Sequence, residues 1–162
     1  MAVIKFWWAV AFALYGLEGL ILWRRFKGTK PPETRLFGYN PDEAYRFLTT
    51  LGPSGRTSYA RFQLLDLLFI LVGTQTMVAT DRWALTRLRI TGPLQLSPWL
   101  PVAYAATDIA EDLALLRLVA GFPRRQDALG TVASRITSTK FLLFGASLAL
   151  STVLGRFASR RK

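Results

Sequence analysis

Residues 6–23 read FWWAVAFALYGLEGLILW, an apolar run that contains one acid, Glu18, and is followed by Arg24 and Arg25. An α-helix rises about 1.5 Å per residue, so a run of roughly 18 residues just crosses the hydrocarbon core of a bilayer. A signal peptide is the alternative interpretation. The run lacks a basic start beyond Lys5 and a small-residue cleavage site, and it ends in Trp-Arg-Arg, so we predict a retained membrane span.

Three further stretches have the same apolar character. Half of the chain is hydrophobic (51%), 13% is aromatic, and the mean hydropathy is +0.26, values typical of a membrane protein. A length of 162 residues suits one domain. We therefore predict an all-α protein, a four-helix transmembrane bundle that forms one integral membrane domain over residues 1–162, with spans at about 6–23, 56–79, 99–121 and 137–157.

A short amphipathic helix is predicted at about 41–51, between spans 1 and 2. Asn40 is a suitable N-cap, Pro41 fits the first helical position, and Gly52-Pro53 ends the helix. Its apolar residues recur with helical spacing, at Ala44, Phe47, Leu48 and Leu51. Such a helix either lies in the membrane interface or packs on the end of the bundle as a loop helix.

The segments between the spans favour one orientation. Residues 82–98 contain Gly92, Pro93 and Pro98 and are predicted to form the loop between spans 2 and 3. The connections between spans 1 and 2 and between spans 3 and 4 hold more Lys and Arg than the termini and this loop do. Because basic loops stay on the inner side of a membrane, this distribution favours both termini outside.

The chain is strongly basic, with 21 Lys and Arg against 10 Asp and Glu and a net charge of +11. The basic residues gather at the ends of the apolar runs, as they do around membrane spans, and no nucleic-acid recognition motif is visible. Nucleic acid is therefore not an expected partner. Anionic lipids such as cardiolipin, or other membrane subunits, are expected to contact Arg24, Arg25, Arg124, Arg125, Arg160, Arg161 and Lys162.

Cysteine and histidine are both absent from the sequence. Their absence excludes disulfides, thiolate chemistry, Cys/His zinc sites, the usual haem ligands and any Ser-His-Asp triad. The serines of the spans have no histidine to serve as a base. The sequence therefore predicts no catalytic residue, no cofactor and no metal site.

Half of the acidic residues fall inside the predicted spans. A bare carboxylate at bilayer depth costs roughly 2.5–3.5 kcal/mol, so each must face the bundle, pair with a cation or take up a proton. Three of them follow an i, i+3, i+4 pattern and share one face of the third span. The predicted buried acid cluster consists of Glu18, Asp66, Asp108, Glu111 and Asp112.

Counting residues from the span ends places these acids on one side of the membrane. At about 1.5 Å per residue, Glu18 and Asp66 lie roughly 8 Å deep and Asp112 roughly 14 Å deep. The possible counter-charges on that side are Arg61, Arg117 and Lys140. An ionic layer joining all four spans is therefore predicted. It either fixes the register of the helices or serves as an ion or proton path or as a polar pocket for a lipid headgroup.

A resemblance rests on the motifs Phe37-Gly38-Tyr39, Pro41-Asp42-Glu43-Ala44-Tyr45, Leu51-Gly52, Gly55-Arg56, Tyr59, Asp66 and Phe69, together with Asp108, Glu111 and Asp112. Over residues 37–150 the chain resembles a group of small, uncharacterised four-span membrane proteins. That group has an Asp-x-x-Glu-Asn element in its third span, and here Asp112 stands where Asn would be. The resemblance implies a four-span fold and no activity.

Two functions from different classes are predicted. The first is a non-catalytic accessory or assembly subunit of a larger, respiratory membrane complex in the mitochondrial inner membrane, since the basic, His-free composition is similar to that of such subunits. The endoplasmic reticulum and the bacterial inner membrane are the alternative locations. The second is a small membrane enzyme or a lipid-, quinone- or sterol-binding protein that uses the acid cluster. An ion or proton conductor is a third hypothesis.

Overall fold

The computed structural model of the protein describes residues 2–26 and 28–161. These residues form no strand, so the all-α prediction is confirmed. They form four α-helices, α1 (Ala2–Arg25), α2 (Pro41–Leu88), α3 (Trp99–Gly121) and α4 (Asp127–Arg160), with short 3-10 helices at Pro32–Thr34 and Pro93–Leu96. The helices α2, α3 and α4 pack against one another, and α1 packs mainly on α2.

Three of the four helices, α1, α2 and α4, are long and apolar enough to cross a membrane. The helix α1 encloses the predicted span 6–23, and α3 has the bounds of the predicted span 99–121. By length α3 also suffices, with 23 residues. Its apolar character is interrupted by four charged residues, Asp108, Glu111, Asp112 and Arg117.

The predicted loop at 82–98 is wrong in its first half. The helix α2 continues to Leu88, and the connection to α3 is correspondingly shorter. The extension is held by packing, because Ala84 is fully buried with Leu154 and Ala158 of α4. Helix ends that depend on a partner helix leave little signal in local sequence.

The fourth helix begins ten residues before the predicted span at 137–157, at Asp127. Its first turns are amphipathic and pack on the end of the bundle. Gly130 packs closely on Pro41, because a Cβ added to Gly130 would lie 3.3 Å from the Cβ of Pro41. Ala133, one turn later, is fully buried. A search for apolar runs misses such a segment, because only one face of it is apolar.

The helix α2 changes direction at Gly52, where the predicted stop Gly52-Pro53 lies. Gly52 has φ 64° and ψ −179°, a conformation that glycine adopts far more readily than other residues. The helix begins after Asn40, whose side chain accepts a hydrogen bond from the Glu43 N–H. The Glu43 side chain in turn accepts a hydrogen bond from the Asn40 N–H. These two bonds form a capping box, which confirms the predicted N-cap. Phe47 and Leu48 are buried in the bundle, which favours the packed form of this helix over the interfacial one.

Two apolar cores stand at opposite ends of the molecule. The larger one includes Phe26, Phe47 and Tyr59, with ring centroids 5.0 Å apart for Phe47 and Tyr59. The smaller core consists of Ala84, Leu154 and Ala158. Beside it a hydrogen bond connects the ends of α2 and α4, because Arg87 donates to the carbonyl of Ala158 over 3.0 Å. The predicted cluster of Glu18, Asp66, Asp108, Glu111 and Asp112 lies between these cores along the helices.

Candidate functional site

Lys140 of α4 is the centre of a buried ion-pair group. Its Nζ lies 2.7 Å from Asp108 Oδ1 and 2.5 Å from Glu111 Oε2, both on α3. The Thr137 hydroxyl, one turn before Lys140, donates to the other oxygen of Glu111. All three charged side chains are at least nine-tenths buried, so the surrounding protein replaces water as the source of their hydrogen bonds.

A second group of carboxylates adjoins this ion pair. One oxygen each from Asp66, Asp108 and Asp112 lies within 4.8 Å of the others. Asp108 and Asp112 are one turn apart on α3, and Asp66 comes from α2. We call these three residues the Asp triad. At this separation and an effective dielectric constant of about 20, each pair of ionised carboxylates repels by roughly 3 kcal/mol.

Asp112 is the most enclosed member of the triad. It is 0% exposed, and neither of its carboxylate oxygens has a hydrogen-bond partner among the described residues. Buried carboxylates in proteins almost always have a hydrogen-bonding or charged partner. The triad therefore has acceptor capacity that the described side chains do not fill.

A cavity of about 300 Å³ opens beside the acids. Its lining includes the charged residues Glu18, Asp66, Asp108 and Lys140, and Oε1 of Glu18 has no hydrogen-bond partner among the described residues. Its wall is largely aromatic, with Phe69 in ring contact with both Tyr15 and Phe144. The remaining lining residues are Leu22, Glu33, Thr34, Phe62, Tyr104 and Phe141.

Glu33 is a site residue that sequence analysis missed. It lies in the 3-10 turn before α2, lines the cavity and accepts a hydrogen bond from the Tyr59 hydroxyl, which in turn accepts from Gln63. Burial raises the pKa of Glu33 from 4.5 to about 8. In the sequence Glu33 belongs to a polar, Pro-rich linker, and nothing in that composition distinguishes it from a solvated acid.

Two of the three predicted counter-charges do not reach the acids. Arg61 and Arg117 are exposed, and neither takes part in an ion pair within residues 2–26 and 28–161. Each stands five residues from an acid of its own helix, Asp66 or Asp112. Five residues turn a helix by about 140° beyond one full circle, which puts the arginine on the far face. Of the predicted cations, Lys140 alone joins the cluster.

The predicted basic clusters at the helix ends are exposed, with different local partners. Arg125 pairs with Asp42 over 2.6 Å and lies over the ring of Tyr45 at 5.0 Å. Arg161 donates to the carbonyl of Leu88 over 2.8 Å. Lys162 falls outside the described residues. The other members of these clusters, all exposed, are Arg24, Arg25, Arg124 and Arg160.

A separate buried acid lies at the opposite end of α2. Asp81 is 1% exposed and stands beside Ser97 and Ser151. It is fifteen residues from Asp66 on the same helix, about 22 Å away. Asp81 follows the predicted span at 56–79, so its burial is a second feature that the apolar pattern did not reveal.

Comparison of the chain with known proteins finds no relative. The sequence matches no protein-family model, and neither curated proteins nor solved structures provide a match. Two of the five buried carboxylates of the cluster pair with Lys140, and the adjoining cavity is partly aromatic. The site is therefore suited to bind hydrogen-bond donors or cations at its carboxylates and apolar groups at its rings.

Proposed function

We propose that the protein is an integral membrane protein whose four helices all cross the bilayer. The support for α3 as a span is that its acidic side chains face the bundle and its apolar side chains face outward. Its three acids are at most 3% exposed, while its outward face carries Val102 and Leu113 among other apolar residues. Arg117 is exposed but stands four residues from the helix end, from where its long side chain reaches the headgroups.

Labelling of single cysteines tests this topology. The natural chain has no cysteine, so each introduced thiol is the only one present. With four spans, cysteines at Lys30 and Ala128 should react with an impermeant maleimide from one side of sealed vesicles. Cysteines at Thr91 and Arg160 should react from the other side. Labelling of positions 30 and 128 from opposite sides would contradict the four-span topology.

The function we propose is the binding of an amphiphilic ligand with a hydrogen-bond-donating, positively charged polar end, such as a long-chain amine. One observation carries this proposal: a cavity of about 300 Å³ whose lining combines aromatic rings with the carboxylates of Glu18, Asp66 and Asp108. The apolar body of the ligand would lie against Tyr15, Phe69 and Phe144. Its ammonium would donate to Glu18 and be attracted to the neighbouring ring faces.

Glu18 is the residue on which this binding mode is most easily tested. It approaches the cavity from α1, is 6% exposed and has an oxygen without a hydrogen-bond partner among the described residues. Replacing Glu18 with glutamine keeps the shape and removes the charge. Since hydrogen bonds to charged groups contribute about 1.5–3 kcal/mol, the E18Q variant should bind a long-chain amine at least about tenfold more weakly.

The measurement is the thermal stabilisation of purified protein in detergent by a long-chain amino alcohol across a concentration series. A long-chain alcohol of equal length, without the amine, serves as the ligand control. Asp81→Asn, at the far end of α2, serves as the protein control and should bind as the wild type does. Equal stabilisation by amine and alcohol, or an E18Q variant indistinguishable from the wild type, would refute amine recognition.

A second candidate is the accessory subunit of a larger membrane complex, for example a respiratory one in the mitochondrial inner membrane. It is favoured by the outer face of α1, where Phe6, Phe12 and Trp23 are each more than half exposed. Such a face suits lipid or a helix of a partner protein. Native electrophoresis in mild detergent distinguishes the two candidates, because a subunit should migrate with a large assembly and a binding protein on its own.

A further inference from the structure

We propose that the Asp triad, Asp66, Asp108 and Asp112, holds one divalent metal ion beside the cavity. This inference goes beyond the binding of an amphiphile and does not depend on it. Glu18 is not a member of the triad, so it remains available to the polar end of a ligand while the ion is bound. The inference also reverses the expectation, drawn from the lack of Cys and His, that the chain has no metal site.

The spacing of the three oxygens suits a single ion. Carboxylate oxygens bind Mg²⁺ at about 2.1 Å and Ca²⁺ at about 2.3–2.6 Å, so two ligands of one ion are at most about 4–5 Å apart. One oxygen from each triad residue lies within 4.8 Å of the others. Two of the ligands are held one turn apart on α3, and the third comes from α2, so the packing of two helices sets the site.

Asp112 indicates that the occupant is small. Both of its oxygens are without a hydrogen-bond partner among the described residues, and the side chain is 0% exposed. The cavity is lined by Asp66 and Asp108, and Asp112 is not among its lining residues. An organic ammonium attached to an apolar body would have to stay within the cavity. A bare or partly hydrated ion can reach the oxygens of all three residues.

The charge balance of the site also favours a cation. Lys140 is already paired with Asp108 and Glu111, and Asp66 and Asp112 have no ion pair among the described residues. A divalent ion bound between the three carboxylates would offset their mutual repulsion. Because every protein ligand is a carboxylate oxygen, the expected ions are the hard ones, Mg²⁺, Mn²⁺ or Ca²⁺, with water from the cavity completing the coordination.

Titration with Mn²⁺ tests the proposal directly. The full chain, purified in detergent and freed of metal with a chelator, is titrated with Mn²⁺ while electron paramagnetic resonance reports the unbound ion. The wild type should bind one Mn²⁺ per chain, and excess Mg²⁺ or Ca²⁺ should displace it. Asp112→Asn, which keeps the shape and removes a ligand charge outside the cavity, should weaken binding at least tenfold.

The matched control is Asp81→Asn, which neutralises a buried acid of α2 far from the triad and should leave Mn²⁺ binding unchanged. Helical content by circular dichroism establishes that each variant is folded, and Asp66→Asn takes the place of D112N should that variant fail to fold. A wild type that binds no Mn²⁺, or D112N and D66N variants that bind Mn²⁺ as tightly as the wild type does, would overturn the proposal. The E18Q variant separates the two sites, because it should weaken the binding of the amphiphile and leave Mn²⁺ binding unchanged.

Discussion

Replacing Lys140 with methionine is expected to lower the free energy of unfolding by about 3–5 kcal/mol in metal-free detergent solution. The substitution removes the cation that stands 2.7 Å from Asp108 and 2.5 Å from Glu111 while leaving both carboxylates buried. An uncompensated buried charge costs far more than an ion pair contributes, because the surrounding protein solvates it poorly. Denaturant unfolding followed by circular dichroism measures the loss.

Two further variants test the cause of this loss. Arg135→Met makes the same change at an exposed position of α4 and should shift stability by no more than about 0.5 kcal/mol. Adding Asp108→Asn to the Lys140→Met variant should recover part of the loss, since one of the stranded charges is then removed. If Lys140→Met were as stable as Arg135→Met, the ion pairs would not contribute to the fold in the way described.

Replacing Tyr59 with alanine is the second change for which a large effect is expected, a loss of about 3–5 kcal/mol. Tyr59 is 0% exposed, and its ring stands 5.8 Å from that of Phe26 and 5.0 Å from that of Phe47. Its hydroxyl also joins Glu33 to Gln63. Truncation would open a cavity in the larger core and remove the hydrogen-bond partner of Glu33 at once.

Thermal unfolding of two companion variants separates these contributions. Tyr59→Phe keeps the ring and should cost about 1–3 kcal/mol, the penalty for leaving buried polar groups unsatisfied. Phe157→Ala removes a ring of similar size that is 61% exposed, and it should be close to neutral. A Tyr59→Ala variant no less stable than Phe157→Ala would show that the packing around Tyr59 has been misassigned.

Apolar run length and local capping were enough to predict the helical class and most helix positions. The run at 6–23 lies within α1, the residues 99–121 coincide with α3, and Asn40 is the N-cap of α2. These features depend on residues close together in the chain, whose backbone conformation is set by hydrogen bonds within a few residues. The predicted ends failed where a helix is stabilised by its neighbour, at Leu88 and at Asp127.

The sequence by itself determined that the acids of the cluster lie within apolar helices. It also determined that Asp108, Glu111 and Asp112 lie on one face of α3, because their spacing matches the turn of the helix. Only the tertiary structure decided which cation meets them. Lys140 and Asp108 are 32 positions apart in the chain, and their contact depends on how α4 is rotated against α3. The approach of Asp66 to Asp108 and Asp112 and the burial of Glu33 have the same origin. The relative rotation of packed helices is set by the fit of all their side chains together, and no single segment encodes it.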